Sequence, residues 1–252
     1  MKTNTVNTWK QFGKEDPYYG VLSDPKYKSK NITSEDLTGF FATGKNYVAE
    51  TQKRINLLYG LELSEASILD FGCGVGRLTI AFSFLTNKKT VGIDVSPEIL
   101  EKAKTHAVEM GAENVEYLLS EGKILPDTGN FDFINSYIVL QHIETKMGIG
   151  IIQQLLDKLE IGGIMQIQAT FGNNLPKIKY FHYFLRANYS LYNFVYSCLK
   201  NRTLKAEPMM QMNPYDPKVL FRLFSKYSNS IHIELTDHTG FLGASYMFKR
   251  EF

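Results

Sequence analysis

Ile68-Leu69-Asp70-Phe71-Gly72-Cys73-Gly74-Val75-Gly76-Arg77 is the stretch on which the fold turns. A short apolar run ends in a carboxylate and three alternating glycines, and helical spacing begins at Arg77. This is the pattern of a buried strand that hands the chain to a helix through a turn open to close backbone approach. The dinucleotide fingerprint G-x-G-x-x-G would need its third glycine at position 77, which is Arg77, so the spacing here is G-x-G-x-G. Asp70, two residues ahead of the first glycine, brings negative charge to whatever binds there. It suits a cation and opposes a diphosphate.

Outward from this turn, short apolar runs alternate with segments of helical period between Ile68 and Thr170, which predicts a parallel sheet wound with helices. The strand candidates are SILDFG, KTVGID, NVEYLL, FDFINSYIV and GIMQIQAT, all rich in β-branched and aromatic residues. Between them lie RLTIAFSFL; a helix opened by Ser96-Pro97-Glu98 and stopped at Gly111; a short turn of helix at LQHI; and MGIGIIQQLLDKLE before a Gly162-Gly163 turn. Residues 1–60 read as a helical cap or lid, with Gly44 separating two helices. Residues 61–252 form the core domain, interrupted over 171–213 by an aromatic-rich helical insertion. A helix from Asp216-Pro217 and a strand pair turning at Thr239-Gly240 complete the sheet. The expected class is therefore α/β, a doubly wound, mostly parallel seven-stranded sheet.

The glycine turn, together with Asp94 in VGIDVS, resembles the class I S-adenosylmethionine-dependent methyltransferases over roughly Ile68 to Thr170. The resemblance implies a Rossmann-like methyltransferase fold and S-adenosyl-L-methionine as cofactor, with S-adenosyl-L-homocysteine as product. It gives Asp70 the methionine amino group, and sets Gly72, Cys73, Gly74 and Gly76 against the methionine and ribose. Asp94 would take the ribose hydroxyls, as an acceptor-only carboxylate can, and Val95 would pack on adenine. Glu121, in Ser120-Glu121-Gly122, stands where an acid accepts from the adenine amino group, with Gly122 beside it. Ser136 and Tyr137 fall near the cofactor, and LEIGGIMQIQA resembles the helix-turn-strand that follows.

Methyl transfer is an in-line displacement, which rewards holding the partners collinear, and an oxygen acceptor also needs a base. His142, at the exit of the fourth strand, is the expected base, with His238 as runner-up. Tyr18, Tyr19, His182 and His238 are candidate acceptor contacts. Asp132 is expected to hold a neighbouring turn, Cys73 to be a small inert filler, and His106 and Arg77 to face solvent. No metal is expected. The preferred reaction is O-methylation of a small molecule. N- or C-methylation of a small or lipid-linked acceptor, and a non-catalytic S-adenosylmethionine-binding partner subunit, stay open.

Composition narrows the classes further. Over 252 residues, Lys plus Arg exceed Asp plus Glu by only 28 to 26, which lacks the basic excess of a nucleic-acid binder. Two cysteines make no disulfide framework, so both are expected as thiols in a cytoplasmic protein. The longest uncharged stretch, Ile161–Pro176, is broken by glycine, asparagine and glutamine and falls short of the roughly 20 apolar residues that span a bilayer. The insertion core, 176–202, has three readings: a packed or dimer-forming helix, a wall of an apolar acceptor pocket, or a peripheral membrane contact, since Lys177, Lys179, Arg186, Lys200 and Arg202 flank its aromatics.

Overall fold

The computed structural model describes residues 5–202, 204 and 206–252. Its strands are β1 (Ile68–Phe71), β2 (Thr90–Asp94), β3 (Val115–Leu119), β4 (Phe131–Ser136), β5 (Leu159–Asn173), β6 (His232–His238) and β7 (Phe241–Lys249). They form one seven-stranded sheet in the order β3-β2-β1-β4-β5-β7-β6. The first five pair in parallel, and β7 runs antiparallel to both β5 and β6. This is the doubly wound, mostly parallel sheet expected from the alternating pattern, and its strand order reverses between β1 and β4, where open α/β sheets leave a crevice.

The helices are α1 (Thr5–Glu15), α2 (Pro17–Val21), α3 (Ser34–Tyr59), α4 (Arg77–Ser83), α5 (Pro97–Glu109), α6 (Thr145–Asp157), α7 (Lys177–Asn188), α8 (Ser190–Asn201) and α9 (Pro217–Phe224). Local chemistry sets their ends. Ser96 Oγ accepts from the Ile99 N–H at the start of α5, with Pro97 in the first turn. Thr33 and Asp36 close a reciprocal capping box on α3, and Gly60 ends it in the left-handed region. The sheet's hairpin turns through Thr239 (φ 55°) and Gly240 (φ 90°), the positive-φ pair that matches strand twist.

β1 is buried along its whole length, and so is α4, which packs behind it. One face of the sheet carries Leu69, Ile134, Met165 and Phe248 against α6 and α9. The other face buries Ile68, Phe133 and Ile164 against α3 and α4. Each such side chain contributes about 1.5–3 kcal/mol of transfer free energy.

Gly44 is not a break between helices. α3 runs through it, and a Cβ there would collide with the backbone oxygen of Arg77, so the glycine lets α3 and α4 touch along their backbones. The fourth strand stops at Ser136, earlier than its apolar run suggests, because Ile138 turns into positive φ (60°). At Gly162-Gly163 the chain kinks inside β5 instead of entering it, with a register shift against β4 between Phe131 and Phe133.

Gly44→Ala should therefore destabilise the protein by about 1–3 kcal/mol through overpacking of the α3–α4 contact. Urea denaturation of the two proteins measures it, and an unchanged midpoint would show that the contact relaxes without cost.

Candidate active site

β1 delivers Asp70, 2% exposed, to the floor of the crevice. Its Oδ1 accepts from Asn135 Nδ2 (2.8 Å) and its Oδ2 from Thr79 Oγ1 (2.7 Å). Burial pushes this carboxyl above its ordinary range while those two hydrogen bonds oppose the shift. Gly72, Gly74 and Gly76 then lie in succession at φ 77°, 54° and 86°, a path closed to other residues without strain. Four of the loop's amides are spent internally. Gly72 and Cys73 donate to the Ile93 carbonyl (2.8 and 3.0 Å), Gly74 to Asp94 Oδ2 (3.1 Å) and Gly76 to the Cys73 carbonyl (3.1 Å). A diphosphate loop must instead aim its N–H groups at the ligand.

Asp94, at the end of β2, also accepts from the N–H groups of Val95 (2.7 Å) and Ser96 (3.0 Å) through Oδ1. Burial raises its pKa, and the three backbone donors pull the other way. The crevice between these carboxylates is lined further by Val95, Ser120, Gly122, Tyr137, Ile138 and His142, and has a volume of about 100 Å³. α1 and α2 cover it through Val6, Trp9, Gly20 and Val21. Val21 sits over Gly74, and Val6 over Gly122, at positions a Cβ would occupy.

The crevice adjoins a wider vestibule of about 970 Å³, and the two share Gly20, Val21, Ile138 and His142. Tyr19, Tyr183, Met210, Met212 and Phe241 give the vestibule apolar walls. At its rim Glu207 meets Lys28, Arg186 and Lys200 at 3.4, 3.5 and 3.5 Å. His142 stands at the junction. Its Nδ1 donates to the Gln211 carbonyl (2.8 Å), which fixes the tautomer and leaves Nε2 as an acceptor, 3.4 Å from Gln141 Nε2. Trp9 packs on the ring at 5.0 Å between centroids. Burial drives the imidazole down from 6.5 to about 4, so it is neutral at pH 7. His238 lines the vestibule too. Its Nε2 is buried without a hydrogen-bond partner, and its ring meets Tyr137 edge-on at 5.8 Å.

Several residues expected in the site lie elsewhere. Glu121 is exposed and outside the crevice lining; Ser120 and Gly122 turn inward in its place, because the Ser120 hydroxyl holds the Gly122 N–H. Tyr18 does not face the acceptor side, since its hydroxyl meets His106 Nε2 at 2.7 Å and its ring packs on Phe40. That contact buries His106, which is not at the surface. His182 packs on Tyr192 and Tyr196 within the insertion. Gly76 lies behind the crevice as the residue capping α4, and Ser136 is buried behind the lining with its hydroxyl unpartnered. Arg77 does not face solvent. It is 6% exposed, lines the crevice, donates to Thr43 Oγ1 (3.1 Å), and keeps a buried Nε without a partner.

Other placements match the residue chemistry. Asp132 accepts from the Ser67 N–H and hydroxyl at 2.8 and 2.7 Å, holding the turn before β1. The Cys73 thiol is buried and pushed well up, so it is no nucleophile. Two features were invisible along the chain. One is the relay from Gln166 Nε2 to the Tyr47 hydroxyl (2.7 Å), on to Asn135 Oδ1 (2.9 Å) and so to Asp70. The other is Ile138, a β-branched residue at positive φ in the wall of both cavities, a conformation that holds about 1–3 kcal/mol of strain. Among the described residues no cluster of His, Cys, Asp and Glu could hold a metal ion.

Comparison with known proteins agrees with this geometry. Residues 68–163 match a family described as a methyltransferase domain. The mitochondrial ubiquinone biosynthesis O-methyltransferase of Candida albicans is 33% identical over 103 residues, 40% of this chain and 31% of that one. Ribosomal protein L11 methyltransferase of Haemophilus influenzae is 33% identical over 133 residues, 51% of this chain and 43% of that one. The chain thus spans less than half the length of these relatives. Among solved structures, magnesium protoporphyrin IX methyltransferase from Synechocystis superposes with a TM-score of 0.62 at 15% identity, covering 97% of both chains, a likeness of fold.

The buried imidazole has a pH signature. Between pH 6.5 and about 4 the unfolded chain takes up a proton on His142 that the folded chain refuses. Its contribution is complete above 6.5 and is lost as pH falls to about 4, up to about 3 kcal/mol in all. The fall in denaturation midpoint over that window should shrink in His142→Asn; equal slopes in the two proteins would place the imidazole in water.

Proposed function

We propose that this chain, which carries a class I S-adenosylmethionine-dependent methyltransferase domain, transfers a methyl group from S-adenosylmethionine to an oxygen of a small-molecule acceptor held in the vestibule. The observation that carries this reading is the pairing of Asp70 and Asp94 around a cradle whose three glycine amides are already spent. Such a site has acceptors and negative charge to offer and few donors, which fits an ammonium, two ribose hydroxyls and a sulfonium and disfavours a diphosphate. When bound, the cofactor supplies an activated methyl group for in-line displacement.

The chain's own residues supply the rest. Asp70 receives the amino group of the methionine moiety, and Asp94 the ribose hydroxyls. Gly72, Cys73 and Gly74 leave room beside them, and Val95 with Ser120 and Gly122 encloses the adenine. Arg77, which lines the same crevice, brings positive charge to the side of the methionine carboxylate. α1 and α2 exclude water from above, which strengthens every charge contact below them. His142 Nε2, on the wall common to both cavities, accepts the acceptor's hydroxyl proton, while Nδ1 stays pinned to Gln211. An imidazole of low basicity suits an acidic hydroxyl, such as a phenol or enol, better than an aliphatic alcohol.

Calorimetric titration with S-adenosylmethionine and with NADH tests the cofactor: the first should bind and the second should not, and the reverse result would end the assignment. Asp94→Ala should weaken S-adenosylmethionine binding by about tenfold or more, through loss of charge-assisted hydrogen bonds. His142→Ala should lower turnover by about 10²–10⁴-fold with cofactor affinity unchanged. Undiminished turnover would remove the base.

A further inference from the structure

The insertion helices are inverted relative to an ordinary surface hairpin. Their inner side is polar: Asn193 and Ser197 are 7% and 0% exposed, and Arg186 reaches both Asn193 (2.9 Å) and Glu207 (3.5 Å). Their outer side is apolar. Ile178, Phe181 and Phe184 recur at intervals of three along α7, and Leu191, Val195 and Leu199 at intervals of four along α8, all exposed. Ile178 and Leu199 are 79% and 78% accessible, and α7 buries no residue at all. A hairpin with its hydrogen bonds inside and its hydrocarbon outside is built for a medium other than water.

Charge selects the medium. From Ile161 to Ala206 the sequence holds no Asp or Glu, while six Lys and Arg fall between 177 and 205. Lys177 and Lys179 at the start of α7, and Arg202 just past the end of α8, are exposed beside the apolar stripes, while Lys200, also exposed, pairs with Glu207. A second copy of this chain would bring the same excess of cations and no carboxylate from this segment to pair with them. An anionic lipid surface complements them: headgroups take the lysines and the acyl boundary takes the aromatic and aliphatic side chains.

We propose that the α7–α8 hairpin docks this protein onto the surface of an anionic phospholipid bilayer. No described helix is long and apolar enough to cross one, so the contact is peripheral. Tyr183, Arg186 and Lys200 of the same hairpin line the vestibule, so docking brings that cavity close to the membrane, where a lipophilic acceptor resides. Docking itself does not depend on the methyl-transfer reading, and vesicle binding and S-adenosylmethionine titration fail or succeed separately.

The test is flotation of the full chain with phosphatidylcholine vesicles, with and without phosphatidylglycerol. Binding is expected only with phosphatidylglycerol, weakening with added salt. Lys177→Gln with Lys179→Gln should reduce it about thirtyfold, at about fivefold per lysine near an anionic surface. Phe181→Ser with Leu199→Ser should abolish it, with unchanged melting temperature as the control for folding. Failure of the wild-type chain to float with anionic vesicles, or equal flotation of both double variants, overturns the proposal. So does a dimer in light scattering that Leu199→Ser dissolves without any vesicle binding, since the face would then belong to a second copy.

Discussion

The Asp94 carboxylate is the constraint on which the site depends. Taken out of water without partners, a carboxylate costs many kcal/mol, and the chain offsets this with three backbone N–H donors, each worth roughly 1.5–3 kcal/mol to a charged acceptor. Those donors come from both sides of the crevice: Gly74 in the turn after β1, and Val95 and Ser96 in the turn after β2. One side chain therefore sets the distance between two strand ends. The same bonds occupy three donors that could otherwise attract phosphate, so the loop's rigidity and its negative character have a single cause.

Asp70 is held by a longer chain of contacts, and its route explains why α3 belongs to the site. Asn135 on β4 donates to Asp70 and accepts from Tyr47 of α3, and Tyr47 accepts from Gln166 on β5. Burial drives the Tyr47 phenol far up, so it stays a neutral link. Three strands and one cap helix are thereby fixed to a single carboxylate in a low-dielectric interior, where such relays are strong when complete and costly when broken. The close passage of α3 over α4 at Gly44 brings Tyr47 within reach.

How much of this was legible follows from the range of each interaction. The seven strands, the Asp70 and Asp94 positions, the α5 cap and the 239–240 turn are encoded within a few residues by period, glycine and proline, and so could be read directly. Gly44 was misread because the sequence marks it as a breaker, whereas its cause is the backbone of Arg77, on another helix. Tyr18 and His106 are 88 positions apart, and neither shows its partner locally. Arg77 looked like a solvated helix start because nothing nearby in sequence reveals that α3 roofs it. Glu121 failed through side-chain direction: its peptide lies at the crevice, yet Ser120 is the residue that turns in.

The two cavities divide the molecule by origin. The crevice is built mainly from the turns after β1, β2, β3 and β4, the part of the chain that repeats a common pattern. The vestibule is built from the α2 region, the insertion and the C-terminal hairpin, the parts that do not. They meet at Gly20, Val21, Ile138 and His142. Of these, Ile138 is held in a strained backbone and His142 is pinned through Nδ1 by Gln211, a residue of the segment that leads out of the insertion. The vestibule segments therefore share no hydrogen bond with Asp70 or Asp94, yet they set the orientation of the imidazole between the two spaces. The imidazole thus couples the two spaces: a change in the segment that holds Gln211 reaches the crevice wall through one hydrogen bond.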